Sequence, residues 1–533
     1  MPAAGAQPGR GRRGPGDPRR SPRRQRRRAA GRPGRRGRGA LIAGARLFAG
    51  CAPEVAAGPD GRILAVGPAA AAAAGRGAEV VRLAGRTLPG LTDAHIHLES
   101  LARMKLEVDL GGTRSLEEAL TRVRRHAAGL PDDAWVVGRG WYNDAWRDPR
   151  FPDRRSLDEA AGGRPAFLVR KDAHSAWVSS AALAAAGVAN GSPDPPGGVI
   201  DRDAAGDATG ILRENAMDLV RRRAPGPSDE RMDAAMAATL RELSRLGVTS
   251  AHSMDRAAAF ASLSRLHGRR ALPVRVTWNL PAPRLEHAER LGLRGGVGDD
   301  RLRIWGVKAF LDGSLGSRTA QMLDGSGVPV LPQDELVELA RRCAASGLSL
   351  CLHAIGDGAV RRALDALEPL AGASPRWRPR IEHAQCVDPA DVPRFRAAGV
   401  IASMQPIHAV ADRELADREW PSLTAQAYAW RALQAAGAVL AFGSDAPVET
   451  ADPLLGLDAA TSWRRRAGWH PELALTPAQA LRAYTAGAAY AAGMEDRLGR
   501  LRPGLLCDLT VVQDGRVTGT VVGGEVTWRQ PSE

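Results

Sequence analysis

TLPGLTDAHIH, residues 87–97, is a short apolar run that ends on two histidines, His95 and His97. Four later runs have the same character, and each carries a residue of a metal-binding type near its carboxyl end. They are IWGVKAF with Lys308, LSLCLHAIGD with His353, RIEHAQ with His383 and VLAFGSDAP with Asp445. Side chains so far apart in sequence converge when their strands lie side by side and parallel, with their carboxyl ends on one face. The recurrence therefore predicts an α/β fold, a (β/α)8 barrel.

The number of strand-like runs agrees with a barrel. Counting apolar, β-rich runs gives eight: LPGLTDAH, GVTSAHS, PVRVTWNL, LRIWGVKAF, LSLCLH, RPRIEH, VIASMQP and AVLAFGS. Between most of them lie stretches with helical spacing that end in glycine. We therefore assign residues 88–498 to the barrel. The gap between the first run and Gly247 is too long for one crossover, so we expect an inserted subdomain at about residues 100–245, over the mouth of the barrel.

Both ends of the chain carry short β-branched runs that are separated by turn residues. Residues 40–87 contain RILAVG and EVVRLAG, and residues 499–533 contain LCDLTVVQ and RVTGTVVGGEVTW. Such runs predict short strands joined by tight turns. We predict that the two segments pair into one small β-sandwich domain.

The positive charge of the chain is concentrated at its beginning. The formal net charge is +15, and the first 40 residues, with 14 arginines and Asp17 as the one acid, carry +13 of it. Residues 1–39 are rich in Arg, Pro and Gly and lack apolar periodicity, so we expect a disordered tail. An unselected extension translated from an upstream start is the favoured interpretation of this tail. A remote alternative is a protein that binds nucleic acid through it.

Composition also bears on location. ALIAGARLFAGC, residues 40–51, resembles an export signal, but Arg46 interrupts it and the same residues fit a strand. No stretch reaches 18 apolar residues, so no membrane span is expected. The five cysteines are odd in number and show no CxxC spacing, which favours reduced thiols. We expect a cytoplasmic protein and keep export as the minority alternative.

Lys308 is one of only three lysines among 74 basic side chains, the others being Lys105 and Lys171. Arginine stays protonated, whereas a lysine with a lowered pKa can react as a neutral amine. Such an amine can add carbon dioxide, and the two oxygens of the resulting carbamate can bridge two metal ions. We interpret Lys308 as retained for this chemistry.

The residue types indicate hydrolysis that is assisted by a metal ion. Neutral imidazole suits zinc and other borderline divalent metals, so we predict one or two divalent ions, most readily zinc. Such ions lower the pKa of water from about 15.7 towards ~7. Asp445 could accept the proton of that water and pass it to the departing nitrogen. The predicted catalytic residues are Asp445 and Lys308.

Longer motifs connect these residues to a known family. They include VVGRGW, DAHSAWVSSAAL, PDPPGG, VKAFLDGSLGSRTA, LHAIGDGAV, SMQPIHAVAD and ALRAYTAGAA. Over about residues 40–528 the chain resembles the metal-dependent amidohydrolase superfamily, in the branch of N-substituted formamide deformylases. The resemblance implies hydrolysis of a non-peptide C–N bond in an N-acyl or N-formyl amide. The metal ligands that it implies are His95, His97, Lys308 as its carbamate, His353, His383 and Asp445. The chain departs from the family at Tyr142, where an aspartate is more common.

Four residues are candidates for contact with the substrate: His174, Arg318, Gln405 and His408. A role in loop packing stays open for each of them. The same centre could also hydrolyse an ester, a lactone or a cyclic amide, because activated water attacks any suitably placed carbonyl. We expect a small-molecule amide as the partner, neither membrane nor nucleic acid, and leave a homodimer open.

Overall fold

Twenty-one β-strands run through residues 44–172 and 174–531, the part of the chain that the computed structural model describes. The predicted disordered tail, residues 1–39, lies outside the described residues. The strands are, in chain order, β1 (Arg46–Ala52), β2 (Val55–Ala57), β3 (Ile63–Val66), β4 (Glu79–Pro89), β5 (Leu91–Ile96), β6 (Val108–Asp109), β7 (Val136–Trp141), β8 (Ala166–Arg170), β9 (Ser175–Val178), β10 (Gly198–Arg202), β11 (Ala208–Glu214), β12 (Val248–Ser253), β13 (Arg275–Pro281), β14 (Leu302–Phe310), β15 (Ser349–Ala354), β16 (Arg380–His383), β17 (Ile401–Met404), β18 (Leu440–Phe442), β19 (Leu509–Gln513), β20 (Arg516–Val522) and β21 (Glu525–Arg529).

Eighteen α-helices occupy the same described ranges. They are α1 (Ala70–Ala74), α2 (Leu98–Leu106), α3 (Leu116–Ala128), α4 (Arg154–Ala160), α5 (Ser180–Ala185), α6 (Met217–Arg221), α7 (Asp229–Arg245), α8 (Ala257–Gly268), α9 (Leu285–Arg290), α10 (Gln333–Ser346), α11 (Asp357–Leu367), α12 (Val392–Ala397), α13 (His408–Glu419), α14 (Trp430–Ala435), α15 (Pro453–Asp458), α16 (Arg464–Ala467), α17 (Pro477–Arg482) and α18 (Ala488–Ala491). Helix α10 shows how the sequence sets an end, because Gly347 follows it with a φ of 66° that glycine adopts readily. Among these described helices, none is both long and apolar enough to cross a bilayer.

The eight predicted strand runs form one parallel sheet in the order β18-β17-β16-β15-β14-β13-β12-β5. Its strands are buried almost throughout, as expected for a parallel sheet with helices around it. The first and last strands meet just beyond their ends. Asp445 N donates to His95 O at 2.7 Å, and His97 N donates to Ala446 O at 2.9 Å. The predicted barrel class is confirmed.

A second sheet lies in the connection between β5 and β12, where an insertion was predicted. Its order is β10-β11-β9-β8-β7-β6, and β6, β7 and β8 are parallel neighbours. Trp141 and Trp177 are fully buried in its core, with ring centroids 6.2 Å apart, and Trp146 is also buried. These tryptophans pack the subdomain.

A third sheet joins the two ends of the chain in the order β21-β20-β19-β4-β1-β2-β3. The junction is antiparallel, with Leu509 of β19 opposite Pro89 of β4. The expected β domain is therefore built from both ends. Because β4 leads through Gly90 directly into β5, this domain is continuous with the first barrel strand.

One buried ion pair fastens the terminal sheet to the barrel. Arg275, the first residue of β13, donates from Nε to Asp508 Oδ2 at 2.7 Å and from an Nη atom to Oδ1 at 2.9 Å. Both side chains are at most 5% exposed, and Gly523 N also donates to Asp508 at 2.7 Å. A buried guanidinium depends on such a counterion, because water cannot reach it.

Replacing Asp508 with asparagine should lower the free energy of unfolding by about 3–5 kcal/mol, because Arg275 would stay charged and buried without its counterion. Denaturation by urea or guanidinium chloride measures this loss. Glu286→Gln is the control, since its pair with Arg290 on α9 is exposed and its removal should cost about 0.5 kcal/mol or less. Equal losses in the two variants would contradict the assignment.

Candidate metal centre

Seven polar side chains meet at the carboxyl ends of the barrel strands. The six predicted metal ligands and His408 come from β5 and the residue after it, from β14, β15 and β16, from the residues after β18 and from the first turn of α13. They are His95, His97, Lys308, His353, His383, His408 and Asp445. Five are buried, and the other two, His97 and His353, are partly exposed. The centre is therefore largely enclosed, and His97 and His353 are its partly exposed members.

The His95-x-His97 pair acts together because the strand ends between its members. β5 stops at Ile96 and α2 begins at Leu98, so His97 leaves the alternation of the strand. The two ring centroids lie 5.5 Å apart. Asp445 Oδ1 lies 3.4 Å from His95 Nε2 and 3.1 Å from His97 Nε2. One atom from each of these three residues fits within 4.8 Å, a spacing that suits one ion.

A second group of ligand-type atoms adjoins the first and shares Asp445. It consists of His383, His408 and Asp445, again within 4.8 Å. The ring of His383 has its centroid 4.8 Å from that of His95 and 4.5 Å from that of His353. Asp445 adopts a φ of 59° and His383 one of 72°, which turns both residues out of strand geometry at the mouth.

Hydrogen bonds orient three of the imidazoles. His95 donates from Nδ1 to Glu382 Oε2 at 2.7 Å, and His383 donates from Nδ1 to Gln405 Oε1 at 2.8 Å. His353 donates from Nε2 to the carbonyl oxygen of Gly313 at 2.8 Å. A proton held on one ring nitrogen leaves a lone pair on the other. Each of the three rings can thus offer one nitrogen to a cation.

His408 has the opposite arrangement. Gln385 Nε2 donates to His408 Nδ1 at 3.1 Å, so the ring carries its proton on Nε2. That atom is buried and lies 3.7 Å from Asp445 Oδ2. His408 is therefore better suited to donate a hydrogen bond to a bound molecule than to hold an ion.

Burial sets the charges of the centre. Desolvation lowers the pKa of His95 to about 4 and that of His353 to about 3, with the neighbouring Lys308 adding to both shifts. Desolvation likewise lowers the pKa of the Lys308 amine. Burial opposes ionisation of Asp445, but the rings of His95 and His97 outweigh it and hold the pKa of that carboxyl below its ordinary range. The neutral imidazoles of His95 and His353 thus lie in one centre with an ionised carboxylate.

The residues fit a divalent cation. Four buried atoms of the centre have no hydrogen-bond partner among the described residues: His95 Nε2, Lys308 Nζ, His408 Nε2 and Asp445 Oδ1. A buried polar group left unpaired costs about 1–3 kcal/mol, so four in one place indicate that a ligand normally completes them. Imidazole nitrogen with carboxylate oxygen is the donor set of zinc and similar metals.

His95 is hydrogen-bonded to a buried ion pair in the barrel interior, which was not identified from the sequence. Arg380 donates to Glu382 Oε2 at 3.0 Å, and both side chains are fully buried. Burial disfavours the charge on Glu382, yet Arg380 and His95 overcome this and keep the pKa of Glu382 low. The signal was present in RIEHAQ, because Arg380 and Glu382 are two positions apart on a buried strand and face the barrel interior together.

Asp93 is a second residue that the sequence analysis did not identify. Its carboxylate accepts from Ser444 Oγ at 2.5 Å and from the backbone N–H of His95 at 3.1 Å. It thereby ties the first barrel strand to the segment that carries Asp445. Burial raises the pKa of Asp93 to about 7. Asp255, at 3.9 Å from His97 Nδ1, is a further buried acid beside the centre.

The four predicted substrate contacts occupy different places. Gln405 and His408 lie within the centre, as described above. Arg318 is largely exposed and pairs with Glu419 at 2.8 Å. His174 is exposed on the inserted subdomain, 3.0 Å from Glu214. The structure does not group the last two with the metal-type residues, and their contact with a substrate stays a prediction.

Comparisons with known proteins agree with this geometry. The model of the amidohydrolase family matches residues 79–526. Protein LONG AFTER FAR-RED 3 of Arabidopsis thaliana is 32% identical over 509 residues, which cover 87% of this chain and 87% of that protein. The N-substituted formamide deformylase of Arthrobacter pascens is 28% identical over 474 residues, which cover 83% of this chain and 86% of that protein.

A solved structure is similar over nearly the whole described chain. It is the crystal structure of an uncharacterized metal-dependent hydrolase from Pyrococcus furiosus, with 30% sequence identity and a TM-score of 0.74. The match covers 88% of this chain and 99% of that one. The likeness therefore includes the inserted sheet and the terminal sheet as well as the barrel.

Glu382→Gln should raise the Kd for a divalent metal by about 10–100-fold, because His95 would lose the carboxylate that holds its proton on Nδ1. Competition with a chromophoric chelator measures this Kd, and the absorption spectrum of the cobalt-loaded protein reports the ligand geometry. Asp508→Asn is the matched control, because it also breaks a buried Arg–carboxylate pair but lies away from the centre. It should lose stability and keep its metal affinity. Equal metal affinity in the two variants would remove Glu382 from this role.

Proposed function

Because the chain belongs to the amidohydrolase family and is a metal-dependent hydrolase, we propose that it cleaves a non-peptide carbon–nitrogen bond in an N-acyl or N-formyl amide. The observation that carries the proposal is the position of Asp445. Its carboxylate lies between two histidine nitrogens on one side and the N–H of His408 on the other. Similarity to the formamide deformylase, at 28% identity, supports the choice of bond.

The metal would be held by the residues that leave an atom free at the centre. We propose zinc as the first choice, with His95, His97, His353, His383 and Asp445 as ligands. Lys308 would join them as a carbamate if two ions bind, because its buried amine has a lowered pKa and no hydrogen-bond partner among the described residues. When bound, such a metal lowers the pKa of water and polarises a carbonyl group.

The protein side chains would move the proton and stabilise the developing charge. Asp445 is ionised and buried, so it can accept a proton from the attacking water and return it to the leaving nitrogen. His408 presents an Nε2 proton in the same place and can donate to the substrate oxygen as negative charge grows on it. One carboxylate thus serves as base and then as acid.

An apolar surface borders the centre and supports a substrate with an uncharged substituent. Phe310 follows Lys308 by two positions and is 47% exposed, and its ring centroid lies 5.2 Å from that of His353. An exposed aromatic ring directly beside a polar centre offers area for the apolar part of a ligand. We propose that the substituent on the amide packs there.

The state of the cysteines is relevant to the cellular compartment in which the protein functions. All five are buried and free. Free thiols are maintained in reducing surroundings, and this supports our proposal of a cytoplasmic protein.

Lys308→Ala should remove most activity and one equivalent of metal if the centre is binuclear. Elemental analysis of the purified proteins gives the metal content, and added acetate should restore part of the activity by supplying carboxylate oxygens. Lys105→Ala is the matched control, since this exposed lysine pairs with Glu242 away from the centre. Full activity and unchanged metal in Lys308→Ala would refute the carbamate.

Asp445→Asn should lower kcat on an N-substituted formamide by about 10²–10⁴-fold, because the amide cannot shuttle a proton. Released amine is measured with metal-loaded protein, alongside ester and lactone analogues of the same substituent. Metal content is determined on the same samples, so that loss of the ion is distinguished from loss of the proton carrier. Turnover that persists at full metal content would assign the proton transfer to another residue. Faster hydrolysis of the ester or lactone would change the proposed bond and leave the mechanism in place.

A further inference from the structure

The inserted subdomain has a cleft of about 760 Å³ that contains none of the residues of the metal centre. It opens at the carboxyl ends of β6, β7 and β8, which are hydrogen-bonded parallel neighbours. The three connections that leave these strands supply its walls. In open sheets of parallel strands, ligands bind in the crevice outside the carboxyl ends, where the connections diverge. The cleft therefore occupies the place where such a sheet binds ligands.

Each of the three connections contributes one cation to the cleft. Arg114 follows β6, Arg147 follows β7 and Lys171 follows β8. None of the three forms an ion pair with another described residue, and no acidic residue lines the cleft. Lys171 is also one of the three lysines of the chain. The cleft thus carries three cations that have no ion-pair partner among the described residues, although the carboxylate of Glu118 lies near enough to interact with the charge of Arg114.

Three of the acids nearest in sequence pair with other arginines. Asp144 accepts from Arg170 at 2.8 Å, and Asp172 pairs with the same guanidinium. Asp148 pairs with Arg150 at 2.5 Å. Asp144 and Asp172 share one guanidinium, so one of their two charges is not compensated by it. None of the three carboxylates pairs directly with Arg114, Arg147 or Lys171, and an external anion would meet three cations without a direct ion-pair partner.

Hydrogen bonds between the connections hold the cleft in shape. Arg147 N donates to the carbonyl oxygen of Arg114 at 3.2 Å, and Trp146 Nε1 donates to Thr113 Oγ1 at 3.1 Å. Gly140 has a φ of 90°, and a Cβ there would come within 3.0 Å of Gly111 N. A side chain at position 140 would thus narrow the space between the first two connections. The site is formed before a ligand arrives.

Tyr142 gives the cleft an aromatic wall. Lys171 Nζ lies 5.5 Å from the centroid of its ring, and the guanidinium of Arg170 lies 4.7 Å from it. The flat face of a ring packed beside cations suits a ligand that joins an anionic group to a planar or apolar body. An acidic side chain at position 142 would instead cancel part of the positive charge.

We propose that this cleft is a second ligand site, which binds a small organic anion through a carboxylate or phosphate group. Arg114 and Arg147 can each donate two parallel hydrogen bonds to such a group, and Lys171 adds a point charge. The planar or apolar part of the ligand lies against Tyr142. The site does not depend on the proposed reaction, since it shares no residue with the metal centre.

Isothermal titration of the metal-loaded, full-length protein with inorganic phosphate and separately with benzoate tests the proposal. At low ionic strength the wild-type protein should bind at least one of the two anions, and binding should weaken as salt is added. Lys171→Gln should raise the Kd by about tenfold or more, which is the loss of one charge-assisted hydrogen bond. Arg114→Gln should have a similar effect. Because both side chains are exposed, the Tm of each variant should stay at the wild-type value.

Lys105→Gln is the matched control, because it removes the same charge from an exposed lysine outside the cleft. Its Kd should stay within about twofold of wild type. A lower Kd for phosphate than for benzoate would indicate a phosphorylated ligand. A lower Kd for benzoate would indicate a ligand that joins a carboxylate to an aromatic ring. Absence of binding of both anions would overturn the proposal. Unchanged binding in Lys171→Gln and Arg114→Gln would also overturn it, because the anion would then bind at the metal centre. Equally weakened binding in Lys105→Gln would overturn it as well, because the loss would then not depend on the cleft.

Discussion

A single buried guanidinium holds the interior of the barrel together. Arg380 donates to the carbonyl oxygen of Ala94 at 2.5 Å, to His252 Nδ1 at 3.1 Å, to Glu382 at 3.0 Å and to Ser403 Oγ at 2.6 Å. These partners lie on β5, β12, β16 and β17, so one cation contacts half of the strands of the barrel. The interior of such barrels is usually filled by layers of apolar side chains. A charge in that position persists only when its hydrogen bonds are complete, and this demand fixes the spacing of the four strands.

The same cation determines the chemistry above it. Arg380 keeps Glu382 ionised, and Glu382 holds the proton of His95 on Nδ1. The free nitrogen of His95 then faces Asp445, whose own segment is tied to the first strand by Asp93 and Ser444. The centre therefore rests on a series of hydrogen-bonded side chains that runs from Arg380 in the barrel interior through Glu382 to His95. Its unpaired atoms collect at the one end that a substrate can reach, and this is how the fold retains groups whose burial would otherwise destabilise it.

The sequence predicted the parts of this arrangement that depend on local pattern. Eight apolar runs identified the eight barrel strands, because a parallel strand that is buried on both faces appears in the sequence as a short continuous apolar run. The ligand-type residues were visible for the same reason, since each one ends such a run. Gln405 and His408 were named as candidate pocket residues from their motif, and both lie at the centre. Partners across the fold were not predictable. The contact of Arg380 with Ala94 arises because β5 and β16 face each other across the closed barrel, and it is not visible in any one stretch of sequence.

The barrel and the inserted sheet share one structural feature but differ in the charge of the side chains that it positions. Both place functional side chains at the carboxyl ends of parallel strands. In the closed barrel these ends converge, so imidazoles and a carboxylate lie close together, and desolvation lowers the pKa of His95 and of Lys308. In the inserted sheet Arg114, Arg147 and Lys171 lie exposed around an open cleft. The enclosed ends of the barrel strands thus offer donors for a cation, whereas the open cleft leaves room for the proposed anion. The two sheets place the candidate metal centre and the proposed anion site at the same kind of strand end.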